Sequence, residues 1–392
     1  MKKILLRNQF MKLRKLSTHF FSSVLMLFCS STFSQTLELD ASLNEAVQTI
    51  PKKGLFTIDL ETTIYKPDGE GPFPIAVINH GKSPGDSRFQ GRYRPAVAAR
   101  YFLQRGYAVI VPMRQGFSKS AGSYIGGGCN VESNGRVQAE DVKAVLDYVT
   151  QQSWADKNKM VVLGQSHGGW TTLAFGTMGY PGVKALVNFA GGLSQEGCIA
   201  WENNLAKGAA EYASQTRVPS LWFYGDNDSF FTTSTYRAMF DKYTSSGGAA
   251  RLVAFGLFST DAHNMFGSRT GSSIWQPEVT QFLAAQGLPS TPLAAYAKYG
   301  AIPVTVAPPK SDYAALDDAS KLPFVKDTGR AGYATYLSKT LPRAFALAPA
   351  GAWAWAEGGD DPLKRAMDSC NRYAKGSCKL YSVDDSVVWK AE

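Results

Sequence analysis

The run Val161-Val162-Leu163-Gly164-Gln165-Ser166-His167-Gly168-Gly169-Trp170 decides how the rest of the chain is read. It contains Gly-x-Ser-x-Gly, a pattern that is weak alone and gains meaning from its setting. Residues 160–163 form a short apolar run that predicts a strand, and residues 170–178 suit a helix. A serine between them stands on a turn so tight that its backbone is strained, and the glycines at 164 and 168 leave room for it. The helix start brings main-chain amides and a partial positive charge beside the hydroxyl. Ser166 is therefore the candidate nucleophile. The plainer reading is a Gly/Ser-rich connection with no chemistry.

Outward from this run, strand-like and helix-like segments alternate from about residue 56 to 286. Residues 56–59, 62–65, 74–79 (PIAVIN), 107–111 (YAVIV), 183–189 (VKALVNF), 220–224 (SLWFY) and 252–255 read as strands. Residues 92–105 and 138–151 have helical periodicity, a helix is expected near 199–215, and 277–286 predicts a closing helix with Pro277 in its first turn. Apolar runs separated by helices predict an α/β fold, a mostly parallel sheet with helices on both faces. In such sheets ligands bind beyond the carboxyl ends of the strands.

Of the four histidines, His19 lies near the amino terminus, His80 ends an early strand, and the His167 side chain is expected to point away from the serine hydroxyl. His263, after the last strand-like run, is the candidate base, since a neutral imidazole is needed within reach of the hydroxyl. Tyr224-Gly225-Asp226-Asn227-Asp228 offers a carboxylate to orient it. Asp228 is preferred because it lies further into the loop, while Asp226 suits holding the turn. Asp261 is close in sequence to His263 for such an approach. The Lys82 and His167 amides are the candidate oxyanion donors, with Gly81 permitting the turn that aims the first.

Trp170, Trp222, Phe230 and Phe231 are candidate substrate-wall residues, each of which also suits plain core. Arg114 suits either an acidic substrate group or a solvated loop. Only about thirty residues separate Asn188 from Pro219, so no cap domain is expected over the cleft.

The chain has 392 residues, 44% hydrophobic and 19% charged, a globular composition. Residues 1–34 read as a secretory leader: Lys2, Lys3, Arg7, Lys12, Arg14 and Lys15 precede an apolar run near 20–28, and Ser34-Gln35 suits cleavage. That run is short of the ~20 residues a membrane span needs. The leader carries +6 of the formal +9, so little basic excess remains and no nucleic-acid partner is expected. The expected location is the periplasm or the medium, with no stable membrane anchor once the leader is cleaved.

Past residue 287 the composition shifts. Residues 287–309, rich in Ala and Pro, read as a linker or an extended wrap. Residues 310–392 read as a small α+β module, with helices at 331–337 and 363–373 and strand-like stretches at 344–355 and 380–389. The expected organisation is thus a leader (1–34), a catalytic domain (35–286), a linker and this module. Cys129, Cys198, Cys370 and Cys378 remain after leader removal, an even count that favours disulfides in an exported chain. Three pairings are possible. Cys129–Cys198 and Cys370–Cys378 are preferred, as each joins cysteines within one proposed domain. No Cys/His cluster has zinc spacing, and neither a metal nor an organic cofactor is expected.

NHGK at 79–82, PMRQGFSKSAG at 112–122, GQSHGG at 164–169, GDND at 225–228 and DAHNMF at 261–266 together resemble the α/β-hydrolase superfamily. Their style is closest to its dienelactone-hydrolase-like and prolyl-oligopeptidase-like branch. The resemblance covers about residues 56–286. It implies an α/β-hydrolase fold and a Ser166–Asp228–His263 triad with oxyanion amides at Lys82 and His167; the family's GxxD pattern places the acid at Asp228. Two features depart from it. Strict dienelactone hydrolases use Cys where this chain has Ser166, and no propeller-sized segment precedes the domain. The expected activity is hydrolysis of small-molecule carboxylic esters through an acyl-enzyme. The alternatives are amide or peptide hydrolysis on the same groups, and a non-catalytic binding protein that retains the fold.

Overall fold

The computed structural model describes residues 39–391 except 196, 303–304, 340, 358–360 and 375. The expected leader and its cleavage point lie outside these residues. In chain order the first unit runs β1 (Glu45–Lys52), β2 (Ile58–Tyr65), β3 (Phe73–Asn79), α1 (Ala96–Leu103), β4 (Ala108–Pro112), α2 (Val131–Val149), β5 (Ala155–Gln165), α3 (His167–Gly176), β6 (Val183–Phe189), α4 (Trp201–Gln215), β7 (Ser220–Tyr224), α5 (Thr233–Ser245), β8 (Ala250–Ala254) and α6 (Ser272–Ala285).

These strands form one eight-stranded sheet in the order β1-β2-β4-β3-β5-β6-β7-β8. β1–β2 and β2–β4 are antiparallel, and every pair from β4–β3 through β7–β8 is parallel. The central strands are apolar throughout because both faces are covered. Alternate residues serve opposite cores: Ile75 and Val77 join α2, α3, α4 and α5 on one face, while Ala76 and Ile78 join α1 and α6 on the other. Each strand from β3 to β7 thus delivers its following loop to one common edge.

Several elements differ from the sequence reading. Residues 56–59 and 62–65 are not two strands: β2 is continuous, and Phe56 lies outside it, exposed. β1 has no apolar run to announce it. It is an edge strand burying only Glu45 and Ile50, and a glutamate held by Arg92 and Arg94 is not a hydrophobic signal. α5 fills the stretch between residues 224 and 252 for which the sequence reading gives no helix, although Tyr236, Met239 and Tyr243 bury at helical spacing. Pro277 does not open its helix. α6 begins at Ser272 and carries Pro277 inside, a position that removes one main-chain donor.

Between β6 and β7 the described residues form α4 and no inserted domain. Residues 287–301 are tied to the sheet unit. Tyr107 OH donates to the Pro289 carbonyl and Arg105 Nε to the Ser290 carbonyl, while the Tyr299 hydroxyl accepts from the Asp68 main-chain N–H and from Asn44 Nδ2.

The tail adds α7 (Asp327–Leu337), β9 (Arg343–Leu347), β10 (Trp353–Glu357), α8 (Pro362–Ala374), β11 (Lys379–Val383) and β12 (Ser386–Val387). Its antiparallel sheet runs β10-β9-β11-β12. The strand-like stretches at 344–355 and 380–389 each resolve into two strands around a turn. α8 contributes to one core of this sheet and α7 to another. Disulfides join Cys129 to Cys198 and Cys370 to Cys378. No described helix is long and apolar enough to cross a membrane.

Candidate active site

β5 ends at Gln165 and α3 begins at His167, leaving Ser166 alone in the turn. Its backbone lies at φ 57°, ψ −127°, a region that costs a non-glycine residue about 1–3 kcal/mol. Three main-chain bonds hold it there. Ser166 N–H donates to the Phe189 carbonyl at 2.9 Å, and its own carbonyl accepts from Gly192 and Trp170, both at 3.1 Å. The flanking glycines are needed for close approach: a Cβ on Gly164 would lie 2.3 Å from the Gly168 carbonyl oxygen, and one on Gly168 2.1 Å from that of Asn79. The end of β3 is thereby pressed against the elbow. A Cβ on Gly81 would sit 3.9 Å from Ser166 Oγ.

His263 is brought to this edge by the loop after β8, where it lies in a short 3₁₀ turn. Asp228, in the loop after β7, faces it with both oxygens, at 3.1 and 3.0 Å from His263 Nδ1. The carboxylate is fixed in turn by the Phe230 and Phe231 amides, which donate to Oδ1 at 2.8 and 2.9 Å. An acceptor on Nδ1 assigns the proton there and leaves Nε2 with its lone pair. The loop is anchored to the elbow itself: Gln165 Nε2 donates to the His263 carbonyl at 2.5 Å.

The two competing carboxylates have other partners. Asp226 is exposed and accepts from Thr233 Oγ1 and Tyr236 OH, each at 3.2 Å. Asp261 caps its own turn through the His263 amide at 2.9 Å and receives Ser229 Oγ at 2.7 Å.

Lys82 follows β3 and His167 opens α3, and the main-chain N–H of neither finds an acceptor among the described residues. The His167 side chain turns inward. Asn134 Nδ2 donates to the Tyr124 hydroxyl and to the Ile125 and Gly126 carbonyls, so Asn134 Oδ1 accepts from His167 Nε2–H at 2.7 Å. His167 Nδ1 then accepts from Arg114 Nη2 at 3.1 Å. His80 is buried beside them: its Nε2 accepts from the Arg114 main-chain N–H at 3.1 Å, and its Nδ1–H donates to the Gly81 carbonyl at 2.7 Å. Burial, reinforced by the Arg114 charge, pushes both imidazoles well below the ordinary histidine range. Arg114 is thus neither a solvated loop residue nor exposed to a substrate. The asparagine and tyrosine of this layer carried no sequence signal.

Of the expected wall residues, Trp170 and Trp222 are core. Both are fully buried; Trp170 Nε1 donates to the Val131 carbonyl and Trp222 Nε1 to Ser220 Oγ. Their helix and strand positions face the apolar layer beneath the sheet edge, so neither lines the site. Phe231 is buried as well. Phe230 is 42% exposed, and its ring centroid lies 4.6 Å from that of His263. No group of three or more His, Cys, Asp or Glu among the described residues has a metal-holding arrangement.

The strand order, with Ser166 in the turn between β5 and α3, is that of an α/β-hydrolase fold. The family model of X-Pro dipeptidyl-peptidases (S15 family) matches residues 54–209, which hold the elbow and stop short of Asp228 and His263. No curated protein matches the sequence. Solved structures similar to the chain include an esterase of Pyrococcus furiosus, at 12% identity over 64% of this chain and 96% of that one, TM-score 0.47. A putative dienelactone hydrolase of Klebsiella pneumoniae aligns at 18% identity over 62% of this chain and 98% of that one, TM-score 0.44. An acylaminoacyl peptidase of Pyrococcus horikoshii aligns at 16% identity over 64% of this chain and 43% of that one, TM-score 0.47.

Proposed function

We propose that the chain is an exported serine esterase that cleaves small carboxylic esters through an acyl-enzyme. The observation that carries this reading is the His263–Asp228 pair, held on a loop that Gln165 bonds to the Ser166 elbow. Ser166 Oγ attacks the ester carbonyl carbon while His263 Nε2 takes its proton. Asp228 holds the ring and stabilises the imidazolium. The Lys82 and His167 amides receive the oxyanion. The intermediate collapses as His263 returns the proton to the leaving alcohol, and a water then repeats the sequence on the acyl-serine to release the acid. No metal or organic cofactor takes part. Phe230, exposed beside His263, supplies an apolar wall for the acyl or alcohol group.

Export is supported by the leader pattern of residues 1–34 and by the two disulfides. A second reading, amide or peptide hydrolysis by the same groups, is favoured by the S15-family match over residues 54–209.

Labelling with a fluorophosphonate tests the first step: the intact chain should react at Ser166 and Ser166→Ala should not. A non-catalytic binding protein would not react at all. Graded p-nitrophenyl esters run beside aminoacyl and Xaa-Pro anilides separate the two hydrolytic readings. Turnover of the anilides at or above the rate of the esters would replace the esterase assignment with a peptidase.

A further inference from the structure

Arg114 follows β4 at the same sheet edge, and its side chain is completely buried. Among the described residues no carboxylate pairs with it. The nearby Asp141 gives its oxygens to Lys52 Nζ at 2.6 Å and the Gln115 amide at 2.8 Å. Arg114 Nε and Nη1 have no acceptor among the described residues, and the Phe117 ring lies 5.4 Å from its guanidinium carbon. Burial lowers its pKa only to about 10, so the cation persists at neutral pH.

A guanidinium unpaired in this setting is costly to bury. Its contacts show what it joins, and Nη2 also lies 3.4 Å from His80 Nδ1. The main-chain N–H enters His80 Nε2, two residues before Lys82, and Nη2 enters the ring of His167. Lys82 follows β3 and His167 opens α3, so the two candidate oxyanion donors come from separate elements. Arg114 is bonded to both sides. Asn134, at the far end of the chain of bonds, fixes the His167 tautomer that presents a lone pair to the guanidinium.

We propose that Arg114 is the positioning residue of the oxyanion hole. It sets the Lys82 and His167 amides in register, and its unneutralised charge adds to the field they present to the developing anion. A buried charge acts there with far less screening than in water. The inference rests on the reading of Ser166, Lys82 and His167 given above.

The test compares Arg114→Gln with Arg114→Lys in the full chain, each counted by end-point titration with a fluorophosphonate. Gln can still donate to His167 but carries no charge. Per titrated site, Arg114→Gln should lower kcat about 10- to 100-fold with KM nearly unchanged. It should weaken an alkylboronic acid, which forms a tetrahedral anion on the serine, by the same factor. Arg114→Lys should recover most of both. Asn134→Leu, which leaves Arg114 in place and releases the His167 ring, should lower both about 3- to 10-fold and decides the matter should the Gln variant not fold. A purely structural arginine would reduce the number of titratable sites and leave kcat per site and boronate affinity intact. That result, or equal damage by Gln and Lys, overturns the proposal. If the parent chain neither labels at Ser166 nor turns over esters, the site reading fails and Arg114 is not at issue.

Discussion

Gln165 and His263, 98 residues apart in sequence, are joined by a bond from the glutamine amide to the histidine carbonyl. The residue before the nucleophile thus holds the loop that carries the base. Gln165→Ala should free this loop while leaving the Ser166 backbone in place, because the bonds of Ser166 to Phe189, Gly192 and Trp170 are untouched. The expected result is a fall in kcat of about 10-fold, since small misplacements of a base are costly, with little change in Tm. Steady-state kinetics beside a thermal melt check it.

The three aspartates of the edge should separate cleanly. Asp228→Asn removes the acceptor that fixes the His263 tautomer and should lower kcat by about 10³- to 10⁴-fold. Asp226→Asn, whose partners are Thr233 and Tyr236, should leave kcat within about 2-fold, as expected of an exposed residue outside the reacting groups. Asp261→Asn disturbs the cap of the His263 turn and should cost a few-fold. A large loss at Asp226 with Asp228→Asn active would move the acid to residue 226.

The aromatic residues divide between stability and binding. Trp222→Ala should destabilise the fold by about 3–5 kcal/mol, because a fully buried indole leaves a cavity. Phe230→Ala should hardly move the denaturation midpoint and should raise KM for esters with apolar groups. Urea melts and KM values across acyl lengths distinguish the two effects.

Acid should weaken the fold through His80 and His167. Both have folded-state pKa values depressed by burial, against about 6.5 in the unfolded chain. Above that pH both states are neutral and the stability is fully present. Below it the unfolded chain takes up protons that the folded chain refuses, so stability falls toward the depressed folded values. The slope approaches about 1.4 kcal/mol per pH unit for each residue. Denaturant midpoints from pH 7.5 to 5 should decline. The slope should be shallower in His80→Gln or His167→Gln; an unchanged slope in both would contradict the assignment.

How far the sequence could be read follows from where each signal lies. β3, β6 and β7 are buried on both faces, so their apolar runs mark them to within a residue. β1 is an edge strand whose deepest group is a glutamate, and periodicity cannot see an ion pair with Arg92 and Arg94. Ser166 and His263 could be singled out as candidates because glycine spacing and elimination among few histidines are local facts. The orientation of Trp170 and Trp222 was not, since an indole beside the elbow reads the same whether it faces the cleft or the core. The Arg114–His167–Asn134 chain joins three separate loops and helices, and only the folded chain brings them together.

The segment after α6 is fastened to the sheet unit. Lys298 pairs with Asp68, Tyr299 is fully buried, and Arg100 donates to the Tyr299 and Ala301 carbonyls. Asn44, near the start of the described chain, donates to the Tyr299 hydroxyl. The opening and closing stretches of the sheet unit are therefore buckled together on its outer wall. A protein cut after residue 286 would lose the clasp and bare the flank of α1, whereas one cut after residue 301 would keep it.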